Sequence, residues 1–588
     1  MLIRSGAVSN TRSSPARRAT GCILAALLGA SACASSGEGA PLFPTAREIA
    51  SLAKEPAPSS ARVFADMPVF VDRWTLQGPL PEVTSALSYA GDEPLAVRAR
   101  QLAAPRGGRV TESMQCVARQ YGAFFLAHGG SPPDDLKHFI AARCGAPVSE
   151  VAVRYVMRTL PAGAAPPDAS EWGALEVLRS ATASVGRDDE LGVWAGNQDQ
   201  KYALVFVTGR SEVALEPTPI VGGEGGFVEL RGRIRRPVGW IQAYATRGEY
   251  DYRVCRPIDG AAFGERDFAM RCPVASDDSL AMIEVVAAEP ERVLGRTILR
   301  VAVSPDGSAP DSFAPRPSRS RASDSHGPGD LLAAINELRG GLRLDPLKNE
   351  ARQSALVDSL IPHFLAARAE PDGEDTREKI ALGMMAGWEV EGFIRDSSFL
   401  VLRSHASRSM DRAVAEALSS PFARAILLDP EARSIALATR ASDVNEAVAS
   451  MLFTYEFFDR MDYKAEESAF VVELNAQRRA RGLKPIVHVI GAEPREILGR
   501  GVRTMMRGAA TPLEALNEAL HTFVVQTSRN FQGAVYSTHK LEGWKPRFSP
   551  ELLTATDVEL AIRIGHYTPA GAAWGQHVAL VVFTVLSS

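Results

Sequence analysis

One feature constrains this chain more than any other: part of its C-terminal half is written twice. The stretch "INELRGGLRLDPL" carries Asn336, Arg339, Gly341, Leu342, Pro346 and Leu347, and "LNAQRRARGLKPI" carries Asn475, Arg478, Gly482, Leu483, Pro485 and Ile486 in the same order. Each reads as an amphipathic helix that ends at a glycine and leaves as an extended segment. A second pair lies downstream of each. "SSPFARAILLDPEARSIALAT" begins at Ser419 and "FSPELLTATDVELAIRI" at Phe548. Both are Ser-Pro, a short helix with a leucine pair, then a strand, and a further apolar strand follows each. Self-similarity on this scale predicts copies of one α/β unit. The hairpin pattern "ELGVWAG…KYALVFV" of the N-terminal half has the same look, so a third copy is expected there.

A chain of 588 residues is too long for one core. Residues 304–329 are rich in Pro, Ser and Asp and short of apolar side chains, which reads as a disordered linker. They divide an α/β domain (61–210) and a β-sandwich (211–303) from two α/β domains (330–460 and 464–588). The first domain opens on helices at Glu112–His128 and Pro132–Gly145. The sandwich is predicted from six or seven short strands at regular spacing, an immunoglobulin-like pattern. The fold class is thus α+β and multidomain. With 46% hydrophobic residues, 23% charged and a net charge of −4, nothing calls for a nucleic-acid partner. The basic run "RGRIRRP" (Arg231–Pro237) reads as a solvated strand edge.

The N-terminus looks like an export signal over residues 1–33. Arg4, Arg12, Arg17 and Arg18 precede a short apolar run, "GCILAALLGA", and then "ASAC" ending at Cys33. Ordinary signal-peptidase cleavage and lipoprotein processing both place the cut before Cys33. The tether-like residues 34–60 favour a lipid on Cys33, hence a membrane partner through an N-terminal anchor. Cys116, Cys144, Cys255 and Cys272 remain, an even number as disulfides require, and three connectivities are open. Short loops favour Cys116–Cys144 and Cys255–Cys272.

The order of the repeated unit, with its N-x-x-R helix, "GL-x-x-PL" exit, Glu-containing turn, Ser-Pro helix and strand pair, resembles the CAP superfamily (cysteine-rich secretory proteins, antigen 5, pathogenesis-related proteins; SCP-like). Residues 330–460 carry most of the likeness, and 464–588 carry it at their two ends. The resemblance implies secreted α/β/α sandwiches whose cleft usually holds two histidines and two acidic residues able to bind a divalent metal. "REKIALG" resembles the family's acidic turn and places Glu378 in that role. "ALSSPFAR" resembles the family's Trp-x-x-Ser-Pro-x-His-Arg, with Ala417 for the tryptophan and Ala423 for the histidine. Leu552 takes that place in the second copy. The pair Glu378 and Ala423 therefore marks a vestigial cleft.

Imidazole is the ligand and general base such a site needs near neutral pH, and neither Ala nor Leu replaces it. His363 and His521 sit on apolar helical patterns and read as structural, and the discriminating observation is whether any two of His363, Glu378, His405, His521, His566 and His577 converge in one pocket. His566 and His577 flank "GHYTPAGAAWGQH", which reads as a polar hairpin tip, although two histidines meeting across strands could bind a metal. No serine-hydrolase elbow or zinc-protease motif occurs. No catalytic residue, metal ligand or cofactor is therefore assigned, and the expectation is a non-catalytic envelope protein that binds an unidentified envelope or extracellular ligand. The alternatives are a hydrolase or metal-dependent enzyme with an unrecognised site, and a carbohydrate-binding sandwich with Trp240, Tyr244, Tyr250 and Tyr252 as stacking candidates.

Overall fold

A computed structural model describes residues 2–4 and 43–585, other than 57, 59–68, 162–173, 184, 223–225, 259–265, 276–279, 290–293, 306–308, 317–326, 371–372, 406–408, 442–446, 459–460, 487–491, 528–530, 539–540, 542–543 and 570–573. Cys22, Cys33 and residues 34–42 of the expected tether lie outside the described residues, as does His326; the rest of 34–60 is not simply a tether, because Ala46–Leu52 forms a helix whose Ile49 is buried. The chain forms two compact units: one of residues 1–6, 50–381 and 398–454, the other of residues 7–49, 382–397 and 455–588.

One order of elements appears three times. In the first copy it runs helix Pro94–Ala103, a short strand Arg109–Val110, helices Glu112–His128 and Asp134–Arg143, strand Ala152–Thr159, helix Ala174–Ala183, and strands Asp189–Gln198 and Lys201–Arg210. In the second it runs helix Pro328–Gly341, strand Lys348–Asn349, helices Ala351–Ala369 and Glu374–Met385, and strand Ile394–His405. The extra helix Met410–Ala417, the Ser-Pro helix Pro421–Leu427, and strands Ser434–Ala441 and Ala447–Phe457 complete it. The third has helices Tyr463–Arg479, Ala492–Met506 and Pro512–Thr527, strand Gln532–Thr538, the Ser-Pro helix Pro550–Thr554, and strands Val558–Tyr567 and Gln576–Val585.

Strand order agrees as well. The last strand lies between the strand before it and the mid-unit strand in all three sheets. In the first two copies the short strand joins in parallel, Arg109 opposite Glu190 and Lys348 opposite Ser434. Helices pack against these sheets at close quarters. A Cβ on Gly192 would lie 1.9 Å from the carbonyl oxygen of Met114, so only glycine lets the Glu112–His128 helix approach its strand.

The repeated motif acts as a clamp. Asn336 donates from Nδ2 to the carbonyl of Leu347 (3.0 Å) and accepts from its N–H (2.7 Å); Asn475 does the same with Ile486 at 3.2 and 2.7 Å. Arg339 donates to the carbonyls of Asp345, Leu427, Asp429 and Ala432, and Arg478 to those of Lys484, Leu552, Ala555 and Thr556. Both guanidinium groups are fully buried, and burial lowers their pKa. They persist there because each is spent on carbonyls that would otherwise be orphaned. This geometry corrects the sequence pairing by two positions. The left-handed turn residue is Arg343 (φ 60°) in the second copy and Gly482 (φ 75°) in the third, at the same count from the asparagine. Leu344 bonds back to Arg339 as Leu483 bonds back to Arg478. Arg100 stands at the equivalent count in the first copy but turns to the carbonyls of Tyr89 and Gly91.

Between the first two copies lie two four-stranded antiparallel sheets. One has Arg256–Pro257, Asp267–Pro273, Phe227–Ile234 and Val213–Leu215; the other has Asp251–Val254, Trp240–Arg247, Ala281–Ala288 and Arg296–Val303. Side chains from both sheets share one buried cluster. Two disulfides stand as the short loops favour: Cys116–Cys144 joins the helix Glu112–His128 to the C-cap of Asp134–Arg143, and Cys255–Cys272 ties the junction between the two sheets to the strand Asp267–Pro273.

Two further expectations fail. The basic run is not an edge, because Arg233 pairs with Asp267 on one side and Ala214 on the other; its charges face outward beside Glu229 and Asp267. The segment 304–329 is not wholly a disordered linker either. Ser312–Phe313 forms a strand against Trp74–Thr75, and Phe313 packs on Phe139, one aromatic anchor sufficing to order a polar stretch.

Candidate functional site

The Ser-Pro helix of the second copy begins at Pro421, with Ser420 as its cap: Ser420 Oγ accepts from the N–H of Ala423 at 3.1 Å. The same hydroxyl donates to Glu284 Oε2 at 2.6 Å, and the N–H of Phe422 donates to that oxygen at 3.3 Å. Glu284 belongs to the sandwich strand Ala281–Ala288 and receives Arg300 Nε on its other oxygen at 2.6 Å. A sandwich carboxylate thus fills the helix start. Burial alone would raise the Glu284 carboxyl; the charge and hydrogen bond of Arg300, then the Ser420 hydroxyl, outweigh it and hold the pKa below the ordinary value. Beside it, Phe422 packs on Tyr244 with centroids 5.4 Å apart, and Arg424 reaches the carbonyls of Gly248 (3.1 Å) and Asp251 (2.6 Å).

Ala423, the position where the resemblance places a histidine, is 1% exposed within this seam. Its apolar cluster combines Tyr244 and Val286 of the sandwich with Phe422, Ile426 and Leu427 of the second copy. Glu378 is not in a turn. It lies half-buried on the Glu374–Met385 helix, a helix that gives the described cluster around Ala423 no residue. Among the described residues no group of three or more His, Cys, Asp or Glu is placed to hold a metal ion.

The same seam leaves a surface groove of about 850 Å³. Phe227, Arg247, Tyr250, Asp251, Arg253 and Leu342 are among its walls. Phe227 is 48% exposed at the rim, Arg247 is exposed, and Arg253 pairs with Asp251 at 2.8 Å. The stacking candidates divide. Tyr244 is buried, while Trp240 and Tyr252 pack half-buried on the cluster around Ala423. Tyr250 has one side on that cluster and also lines the groove. Arg424 holds the Gly248–Asp251 turn from beneath and so fixes this wall.

The histidines mostly stay apart. His363 is buried on the Ala351–Ala369 helix and His521 is exposed on Pro512–Thr527. His405 ends its strand, and its side chain lies outside the described residues. His566 and His577 do meet. They are directly opposite in the last hairpin and both are buried, so the polar-tip reading is wrong for them. The signal for this was present in the sequence as two histidines equidistant from a hairpin turn, but burial depends on Phe393 and Phe458, far away in the chain.

No protein-family model matches this chain. No curated protein matches it either.

Proposed function

We propose that this chain is a non-catalytic extracytoplasmic protein, anchored by lipid on Cys33, in which degenerate units resembling the CAP superfamily carry an immunoglobulin-like sandwich and the whole acts by binding in the cell envelope. The observation that carries the reading is the burial of Ala423. The place the resemblance gives to a metal-binding imidazole is apolar, sealed by the sandwich and capped by Glu284. Two disulfides fit an oxidising compartment outside the cytoplasm. No described helix is long and apolar enough to cross a membrane.

The binding surface is the groove beside the seam. Its aromatic walls, Tyr250 and Phe227, offer ring faces, and Arg247 with the Asp251–Arg253 pair offers hydrogen bonds of both senses. That combination suits a saccharide-rich envelope polymer of little net charge. The experiment is sedimentation of the mature protein with purified cell-wall glycan. Tyr250→Ala and Phe227→Ala should each weaken retention about tenfold, roughly the 1.4 kcal/mol of one lost stacking contact, and in Phe227→Ala, whose ring is at the rim, thermal unfolding should stay unchanged. Release of soluble fragments from the glycan would overturn the non-catalytic reading and favour the hydrolase. Fatty-acid labelling that survives Cys33→Ser would overturn the anchor.

A further inference from the structure

His566 and His577 occupy opposed positions on strands Val558–Tyr567 and Gln576–Val585. Directly opposed residues carry their side chains on one face of the sheet, about 5 Å apart at Cβ. They are 5% and 2% exposed. One ring, Phe458, serves both: it stacks on His566 at 4.7 Å and meets His577 edge-on at 4.8 Å. Phe393 covers His566 at 4.9 Å. Tyr463, from the helix Tyr463–Arg479, shares a hydrogen bond with His566 Nδ1 at 3.0 Å, while His566 Nε2 is buried with no hydrogen-bond partner.

The charged groups around this shell are already committed. Arg395, on the strand Ile394–His405, acts on Tyr463 but is paired with Glu456 of the strand Ala447–Phe457 at 2.6 Å. Burial keeps the Tyr463 phenol protonated far above neutral pH, so it is no base for an imidazolium. A proton arriving on His566 would thus sit in an aromatic shell in which, among the described residues, no carboxylate is bonded to the ring, and burial lowers its pKa.

The end of the hairpin beside the pair holds other segments. Gly575 N–H donates to the Ile394 carbonyl (3.2 Å) and Trp574 Nε1 to the Met385 carbonyl (3.0 Å). Trp574 packs on Phe43 at 4.8 Å, and Trp388 Nε1 donates to the Pro44 carbonyl at 2.9 Å. Ile49 lies so close to Gly383 that a Cβ there would come within 2.1 Å of it. Residues 43–49 lie within the stretch 34–60 and run into the helix Ala46–Leu52.

We propose that the His566–His577 pair is an acid-released clasp: protonation of the buried pair loosens the end of the last hairpin and frees the N-terminal segment Phe43–Ile49 docked against it. Burial favours the neutral form of His566 in the closed form. Its contribution to closure is full above the ordinary imidazole pKa of about 6.5 and declines as the pH falls below it. The inference does not depend on lipidation or on the groove.

The test is amide hydrogen exchange of the full mature chain at pH 7.5 and 5.0, read by mass spectrometry and corrected for the intrinsic pH dependence of exchange. Peptides covering 43–49, 385–396 and 574–577 should lose protection at least tenfold at pH 5.0, while sandwich peptides keep theirs. In H566F/H577F the acid-induced loss should vanish. Should that variant not fold, His566→Gln, neutral at both pH values, takes its place with the same readout and a reduced acid response. Equal protection at the two pH values in the wild type, or an undiminished acid response in the variant that folds, overturns the clasp.

Discussion

The second and third copies begin their Ser-Pro helices alike and finish them in different surroundings. In the second, all seven residues from Pro421 to Leu427 are buried; in the third, Leu552 is the one buried residue between Pro550 and Thr554. Phe422, which meets Tyr244, has Glu551 as its exposed counterpart. Ser420 caps its helix and donates to Glu284, whereas Ser549 makes no side-chain cap bond. The clamp residues around both helices are the same. The frame of the unit therefore does not set what the Ser-Pro helix does; the neighbouring surface does. In the second copy a sandwich has been fitted over the place where the resemblance expects a cleft.

The comparison breaks most sharply at Glu284. Glu284→Ala leaves Arg300 buried without its carboxylate and the Ser420 hydroxyl without its acceptor, and should cost about 3–5 kcal/mol in chemical denaturation. No single substitution next to Ser549 should approach that. Because the Glu284 pKa is depressed in the fold, its contribution is present above the ordinary carboxylate value of about 4.3 and is lost as the pH falls through the folded value. The gap between wild type and Glu284→Gln should therefore close in acid, as followed by tryptophan fluorescence. The clamps supply the next effect. Arg339→Met and Arg478→Met should each cost about 3 kcal/mol, and a large inequality would show that the two copies do not share one frame. At Ala423, His or Leu in place of Ala should cost about 1–3 kcal/mol through overpacking. Calorimetry on Ala423→His should find no tight zinc site, since a lone imidazole lacks the three or four ligands such a site takes. The smallest effect lies in the turn. Arg343→Gly should stabilise by up to about 1 kcal/mol, and Gly482→Ala should destabilise by about the same amount, both read from unfolding midpoints.

What the sequence disclosed follows from how local each interaction is. The Asn and Arg of the clamp are helix positions on one side of a fixed turn, so their spacing is visible. The register of that turn is not, because Arg343 adopts a left-handed conformation in which glycine is the usual signal, and Gly341 drew the alignment instead. The capping box from Thr511 to Glu514 is legible and present, with bonds of 2.8 and 3.3 Å. The mid-unit strands Ala152–Thr159 and Gln532–Thr538 are missed because few of their residues are buried and no alternating pattern marks them. That an alanine stands at 423, where the resemblance places a histidine, is legible; the sandwich that seals it is not, since Ser420 and Glu284 meet across a long span of chain. The groove is unreadable for the same reason, with Leu342 and Tyr250 brought together only by folding.

The buried arginines have a consequence for how such a protein can change over time. Arg339 and Arg478 grip eight positions between them, and in every case the atom held is a main-chain oxygen. A carbonyl is supplied by any of the twenty residues, so the grip exerts no selection on the identity of what it holds. Asp345, Leu427, Asp429 and Ala432 in one copy answer to Lys484, Leu552, Ala555 and Thr556 in the other without any loss of the contact. An architecture fastened in this way tolerates drift almost everywhere except at the fastener.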